Sequence, residues 1–324
     1  MEMIAVIGPF NETMKRALEK AFPDTFRLEY ITSREEYFRL STADYIILRT
    51  LNYTAEDIAE TPNIKLIQRW GVGFDTVDIG AAAEKGIPVA VTYGMNAIPV
   101  AEMTLALTLA VYRNLAPLTE GIQSGKWERE HYAATSYTIS GKTVGIIGLG
   151  NVGRRAAALY KAFGATVLYY DEYRPSLDDE LALGITYSDL DALWGKSDII
   201  SLHAPLTEKT DRLVNKETLA KMKKGAVLIN TAREEMMDSQ ALAEALKSGE
   251  LLGAGLDAIE EGLLAHNHFA GLKNVVLSGH LGGNTEDNAE HMARRCAEQI
   301  MEISSGGTLQ PPHIVNAHLL NRGR

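Results

Sequence analysis

Six consecutive residues carry the plainest chemical signal: Gly148, Leu149, Gly150, Asn151, Val152 and Gly153 spell GxGxxG. The pattern is short, and glycines also serve ordinary strand-to-helix turns, so its context decides its meaning. It follows the apolar run TVGII and opens a helical pattern reaching about Phe163, and a second run ends at Asp171, 18 residues beyond Gly153. That order is the dinucleotide-binding fingerprint: Gly148 makes the tight turn, Gly150 lets the backbone approach a pyrophosphate, and Gly153 lets helix and strand pack closely. The helix start at Asn151 and Val152 offers N–H groups and a positive dipole end to the phosphates. A carboxylate at Asp171 accepts from both ribose hydroxyls of NAD and repels a 2′-phosphate, and Glu172 adds a second negative charge. Arg174 is the one nearby feature that favours NADP, so NAD is the expected cofactor.

The remaining reactive residue types narrow the chemistry. The single cysteine, Cys296, excludes an intrachain disulfide and a Cys-based zinc site and suits a reducing compartment. His266 and His268 form an HxH pair, but no third ligand is evident and no metal is expected. Thirty-two basic against 42 acidic residues leave a net charge of −10, which disfavours a nucleic-acid surface. The N-terminal MEMIAVIG lacks the basic start of a secretory signal and reads as a first strand. The longest apolar stretch, residues 100–111, contains Glu102 and falls short of the roughly 20 residues a bilayer requires. A cytoplasmic protein is expected.

The elements that must position these residues follow one rhythm. In a chain of 324 residues with 46% apolar and 23% charged composition, short Val/Ile-rich runs alternate with helical patterns from end to end. This is the mark of parallel sheets wrapped by helices, at a length suited to two domains. A first series places strands near residues 4–7, 27–31, 45–49, 64–69 and 89–91. One long helix is expected over residues 99–124, with Pro99 in its first turn. A second series places strands near residues 143–148, 166–170, 198–202, 226–230, 254–257 and 275–277. Ser188 to Asp191 reads as a capping box, and the final helical pattern, residues 285–303, is expected to return to the first domain. The fold class is α/β, with two doubly wound parallel-sheet domains.

With these pieces assembled, the chain resembles the D-2-hydroxyacid dehydrogenase family, in its D-3-phosphoglycerate dehydrogenase and hydroxypyruvate reductase branch. The resemblance spans nearly the whole sequence. It rests on RWGVGFDTVD (69–78), GIPVAVTYGMNAIPVAE (86–102), GKW (125–127), GKTVGIIGLGNVG (141–153), DIISLHAPLTEKT (198–210), MKKGAVLINTAR (222–233), GAGLD (253–257) and GHLGG (279–283). It implies a flavodoxin-like substrate domain from residues 1–97 plus 287–324 and a Rossmann NAD-binding domain from residues 98–286. It also implies an oxidoreductase that exchanges a hydride between NAD(H) and a small 2-keto or 2-hydroxy acid of hydroxypyruvate, glyoxylate or 3-phosphoglycerate type.

The resemblance also implies roles for particular residues. Arg233 would hold the substrate carboxylate and polarise the keto oxygen, a task suited to a bidentate guanidinium. His280 would be the acid/base group, with an ordinary imidazole pKa of about 6.5 that serves both directions. Its anionic partner is displaced, because the family pattern puts a Glu five residues after the Asp of GLD, where this chain has Gly262. A one-residue deletion brings Glu261 into register, with Glu260 as the fallback. Glu234 stands after Arg233, and Gly279 before His280, where the family usually has Gly and Pro. The backbone around Val72 and Gly73, with Asn96, would complete carboxylate recognition, and Arg49 hints at an anionic substrate tail. His203, Thr210, Thr231, Asp257, Gly282 and Gly283 would complete the cofactor site, and residues 99–127 would form a homodimer interface. Two alternatives remain open: a formate- or phosphite-type dehydrogenase, in which formate enzymes pair the histidine with Gln, and a non-catalytic NAD-sensing binding protein.

Overall fold

The computed structural model describes residues 1–260, 262 and 267–320. Two compact units emerge: Met1–Asn96 with Asn284–Arg324, and Ala97–Gly283. In the first unit, strands β1 (Glu2–Ile7), β2 (Phe26–Ile31), β3 (Tyr45–Leu48), β4 (Leu66–Arg69) and β5 (Val89–Ala90) form one sheet in the order β2-β1-β3-β4-β5. All pairings are parallel, which is the flavodoxin-like order. Successive side chains alternate between two apolar layers, as parallel strands covered on both faces must. Ile4, Val6, Tyr45 and Ile47 pack with Met14 and Leu18 of the Glu12–Ala21 helix and Ala293, Cys296 and Ile300 of the Glu286–Ser304 helix. Ala5, Ile7, Ile46, Leu48 and Ile67 pack on the other face with Ile58 and Ala82. The last long helix therefore does rejoin the first sheet.

The second unit holds β6 (Thr143–Ile147), β7 (Thr166–Tyr170), β8 (Thr186–Tyr187), β9 (Ile199–Leu202), β10 (Ala226–Asn230), β11 (Leu251–Leu256) and β12 (Val275–Leu277). Their order, β12-β11-β10-β9-β6-β7-β8, reverses direction beside β6, and such a switch point is where open α/β sheets bind ligands. The two-residue edge strand β8 was not among the expected strands; at that length it carries no alternating pattern to detect.

Two expectations need correction. The helix expected over residues 99–124 is two helices, Ala97–Tyr112 and Leu115–Gln123. Asn114 separates them in the left-handed conformation (φ 51°), which asparagine tolerates better than most residues. Its Nδ2 donates to Thr135 O at 3.2 Å and Ser136 Oγ at 3.3 Å, so a tertiary anchor outweighs helix continuation. The capping box at Ser188 does not form. The Leu190–Lys196 helix takes Asp189 as its N-cap without a side-chain bond, and Ser188 Oγ donates to Asp189 O instead.

Candidate active site

The glycine loop after β6 has the geometry that pyrophosphate binding requires. Gly148 takes φ +95°, and a Cβ there would lie 2.4 Å from Ala204 N. A Cβ on Gly153 would lie 2.0 Å from Gly148 O, so any side chain would push the helix off the strand. At Gly150 the same position opens on empty space, a cradle for a close-approaching group. The Asn151–Ala162 helix begins there with no side-chain cap, leaving its first N–H groups to a ligand. Asp171, at the end of β7, accepts from Leu149 N at 2.6 Å and from Tyr173 N at 2.8 Å, which fixes its carboxylate against the glycine loop. These residues fit a dinucleotide, whose pyrophosphate the loop would hold and whose ribose Asp171 would meet.

His203 follows β9 as a partly buried side chain. Its Nε2 bonds Ser201 Oγ at 2.8 Å, and its Nδ1 lies 3.5 Å from Thr231 Oγ1, which in turn bonds Thr104 Oγ1 at 3.0 Å. Burial pushes its pKa down to about 3, so at neutral pH it is an uncharged hydrogen-bonding group and a poor proton donor. The linkage sign follows. Below the ordinary value of 6.5 the unfolded chain takes up a proton that folded His203 refuses, so its contribution to stability is lost as pH falls from about 6.5 towards 3. The expected result is that His203→Asn narrows the drop in Tm between about pH 7 and about pH 5. Equal drops in both proteins would contradict it. Thr210 Oγ1 donates to Pro205 O at 2.7 Å and accepts from Thr207 N at 2.7 Å, ordering the loop beyond His203.

The candidate reacting side chains stand at the carboxyl ends of β10, β11 and β12. Arg233 leaves β10 through a clamp: buried Asn230 donates Nδ2 to Arg233 O at 2.8 Å and accepts from Ala232 N at 3.0 Å. Arg233 Nη1 donates to Ala232 O at 2.7 Å. Asp257, 2% exposed at the end of β11, accepts from Ser278 Oγ at 2.8 Å and from the N–H groups of Leu281 and Gly282, both at 2.9 Å. The Asp257 carboxylate therefore anchors the loop that carries His280. His280 itself sits at φ 53°, a conformation uncommon outside glycine, and its N–H reaches both Asp257 O and Ser278 O at 2.7 Å.

His280 Nδ1 lies 2.6 Å from Glu260 Oε1. Glu260 is thus the described carboxylate against the histidine; Glu261 lies outside the described residues, as does His266. Glu234 turns its Oε2 to Glu260 N at 2.8 Å. In the first unit, Arg69 Nε donates to Gly73 O at 2.7 Å and shapes the loop of Val72 and Gly73. Asn96 keeps a buried Oδ1 without a hydrogen-bond partner, and Arg49 Nη1 donates to Pro9 O. Among the described residues no group of three or more His, Cys, Asp or Glu could hold a metal, and no helix is long and apolar enough to cross a membrane.

Sequence reasoning passed over Asn230 and Ser278, which brace the loops of Arg233 and His280, and Arg69, which shapes the loop of Val72 and Gly73. Buried polar residues at strand ends were the available signal, since a buried amide or guanidinium must find partners.

Comparison with known proteins gives the family and the fold. Residues 105–282 match the family described as D-isomer specific 2-hydroxyacid dehydrogenase, NAD binding domain. The chain is 39% identical over 293 residues to a glyoxylate reductase of Thermofilum pendens, covering 89% of this chain and 86% of that protein. It is 37% identical over 278 residues to a hydroxypyruvate reductase of Thermotoga maritima, covering 85% and 89%. The NAD-dependent formate dehydrogenase of Staphylococcus aureus, solved in complex with NAD, shares the fold with a TM-score of 0.85 at 27% identity, over 97% and 99% of the two chains. By this match and these identities the chain, with its dinucleotide fingerprint, its arginine loop and its histidine–carboxylate pair on adjoining strand ends, belongs to the D-isomer specific 2-hydroxyacid dehydrogenase family, oxidoreductases acting on the CH–OH group of 2-hydroxy acids.

Proposed function

We propose that the chain is an NADH-preferring reductase of small 2-keto acids such as glyoxylate and hydroxypyruvate. Its second unit serves as the dinucleotide-binding domain and its first as the substrate-binding domain. The observation that carries this reading is the 2.6 Å pair of His280 and Glu260 on loops adjoining that of Arg233. The carboxylate partner also separates the site from the His–Gln pairing of formate-type enzymes.

When bound, the nicotinamide supplies the hydride. Arg233 would grip the substrate carboxylate through its planar fork and draw electron density onto the keto oxygen. His280, its Nδ1 engaged by Glu260, would deliver a proton from Nε2 to that oxygen, and would take it back in oxidation. Glu260 fixes the ring and balances the charge of the protonated imidazole. Val72, Gly73 and Asn96 would add donors to the substrate anion. The loop from Gly148 to Gly153 would hold the pyrophosphate and Asp171 the ribose hydroxyls. His203, Thr210, Thr231, Asp257, Gly282 and Gly283 would surround or support the rest of the cofactor.

Preference for NADH over NADPH rests on what holds Arg174. Glu180 accepts from its Nε at 2.6 Å and its Nη2 at 3.0 Å, and its guanidinium stacks 4.7 Å over Tyr187. Hydrogen bonds from Arg174 and Tyr169 hold the Glu180 pKa down at about 2, so the pair stays charged at any working pH. The cation that would receive a 2′-phosphate is therefore occupied, while Asp171 repels one; the charge of Glu172 is itself balanced by Lys209 at 2.7 Å. The expected result is a kcat/KM with NADH roughly tenfold or more above that with NADPH, for both glyoxylate and hydroxypyruvate, a difference of about 1.4 kcal/mol. Equal or better use of NADPH would contradict it. Exposed Leu115, Ile122 and Trp127 support a homodimer surface on the helical arm, and the buried lone thiol of Cys296 suits a reducing cytoplasm.

A further inference from the structure

Two of the three places where this chain departs from its family around these groups touch each other. Glu234 replaces the usual glycine after Arg233, and Glu260 stands two positions before the usual carboxylate. Glu234 Oε2 accepts the backbone N–H of Glu260 at 2.8 Å, while the side chain of that same Glu260 reaches His280 Nδ1 at 2.6 Å. We propose that Glu234 is a positioning residue for the acid/base pair, anchoring the backbone from which Glu260 holds His280. The proposal rests on the assignment of His280 and Glu260 above.

The need for an anchor follows from exposure. The Glu260 side chain is 62% exposed, so packing does little to restrict its rotamers, and the entropy of ordering it opposes a single geometry. Its backbone is restrained instead. Asp257 N donates to Asn230 O at 2.9 Å, Ala258 N to the same oxygen at 3.3 Å, and Ile259 is buried in the core. Glu260 N, on Glu234, completes the series. Residues 257–260 are thereby laced to residues 230–234, so the acid/base carboxylate rides on the loop that presents the substrate arginine. An N–H bond to a carboxylate is charge-assisted and stronger than one to a neutral acceptor, which suits a shortened and solvent-facing segment. A glycine at position 234 has no side chain to make this bond. The two departures thus act as one compensated change.

The test is a double-mutant cycle on the full chain, with Glu234→Ala, Glu234→Gln, Glu260→Ala and the Glu234→Ala/Glu260→Ala pair. The readouts are kcat and KM for a reducible 2-keto acid and NADH affinity by fluorescence. Glu234→Ala is expected to lower kcat roughly tenfold, the scale of one charge-assisted hydrogen bond, with KM and NADH affinity little changed. Glu234→Gln, whose amide oxygen still accepts the N–H, recovers most of that loss. The double variant turns over no more slowly than Glu260→Ala alone. Losses that multiply in the double variant, an effect confined to KM and shared by Glu234→Gln, or a Glu234→Ala protein equal to wild type would each overturn the positioning role. A Glu260→Ala protein with unchanged kcat would overturn the histidine pairing itself, which separates the two failures.

Discussion

Replacing His280 with alanine is expected to lower kcat for 2-keto acid reduction by roughly 100-fold or more while leaving NADH affinity nearly unchanged, because general acid/base catalysis commonly contributes that much. The loop that carries His280 is held through backbone and Asp257 contacts from Ser278, Leu281 and Gly282, so removing the imidazole leaves the scaffold standing. The left-handed φ at position 280 is a conformation that alanine also disfavours, so a small stability loss accompanies the change. His203 offers no substitute, since burial keeps it neutral and its Nε2 is committed to Ser201. Steady-state kinetics with parallel NADH fluorescence titration measure both quantities. A variant that turns over near the wild-type rate would remove His280 from the mechanism.

The second large effect belongs to Arg233. Arg233→Lys keeps the charge but loses the planar fork, so in the proposed role one of two charge-assisted bonds to the substrate carboxylate would disappear and the polarisation of the keto oxygen would weaken. The expected loss is about 3 kcal/mol, roughly 100-fold in kcat/KM. The loop itself survives, because Asn230 grips its backbone at Arg233 O and Ala232 N. The loss should be several-fold larger for keto acids than for an aldehyde of similar size without a carboxylate, which shares the weakened carbonyl polarisation but has no anion for the arginine to hold. Equal losses for keto acid and aldehyde would mean a general collapse of the site, and near wild-type kcat/KM for the keto acid would dismiss the anion role.

What the amino-acid order revealed, and what it concealed, follows from the range of the forces involved. Strands such as Ile4 to Ile7 and the glycine loop from Gly148 to Gly153 are local patterns, and both were legible. The break at Asn114 was not, because it depends on Thr135 and Ser136, about 20 residues away and visible only once folded. Edge strand β8 escaped for the opposite reason, being too short to show a period. For the proposed partner of His280 the sequence favoured Glu261 with Glu260 as fallback, whereas Glu260 is the described carboxylate at 2.6 Å, since a shortened loop shows no mark of where its residue was lost. Asp257 was legible as an acid at the end of a strand, yet its grip on Ser278, Leu281 and Gly282 joins segments that only the sheet brings together. Glu234 read as an odd charge beside an arginine, and only the fold turns it towards Glu260.

The central claim, reduction of 2-keto acids to D-2-hydroxy acids by a nicotinamide cofactor, is tested most directly by incubating the protein with NADH and hydroxypyruvate, following NADH absorbance, and resolving the product on a chiral column. A parallel reaction offers NAD and formate. The account predicts consumption of NADH with D-glycerate as the product and no reduction of NAD by formate. Formation of L-glycerate, or NAD reduction by formate without turnover of the keto acid, would contradict it.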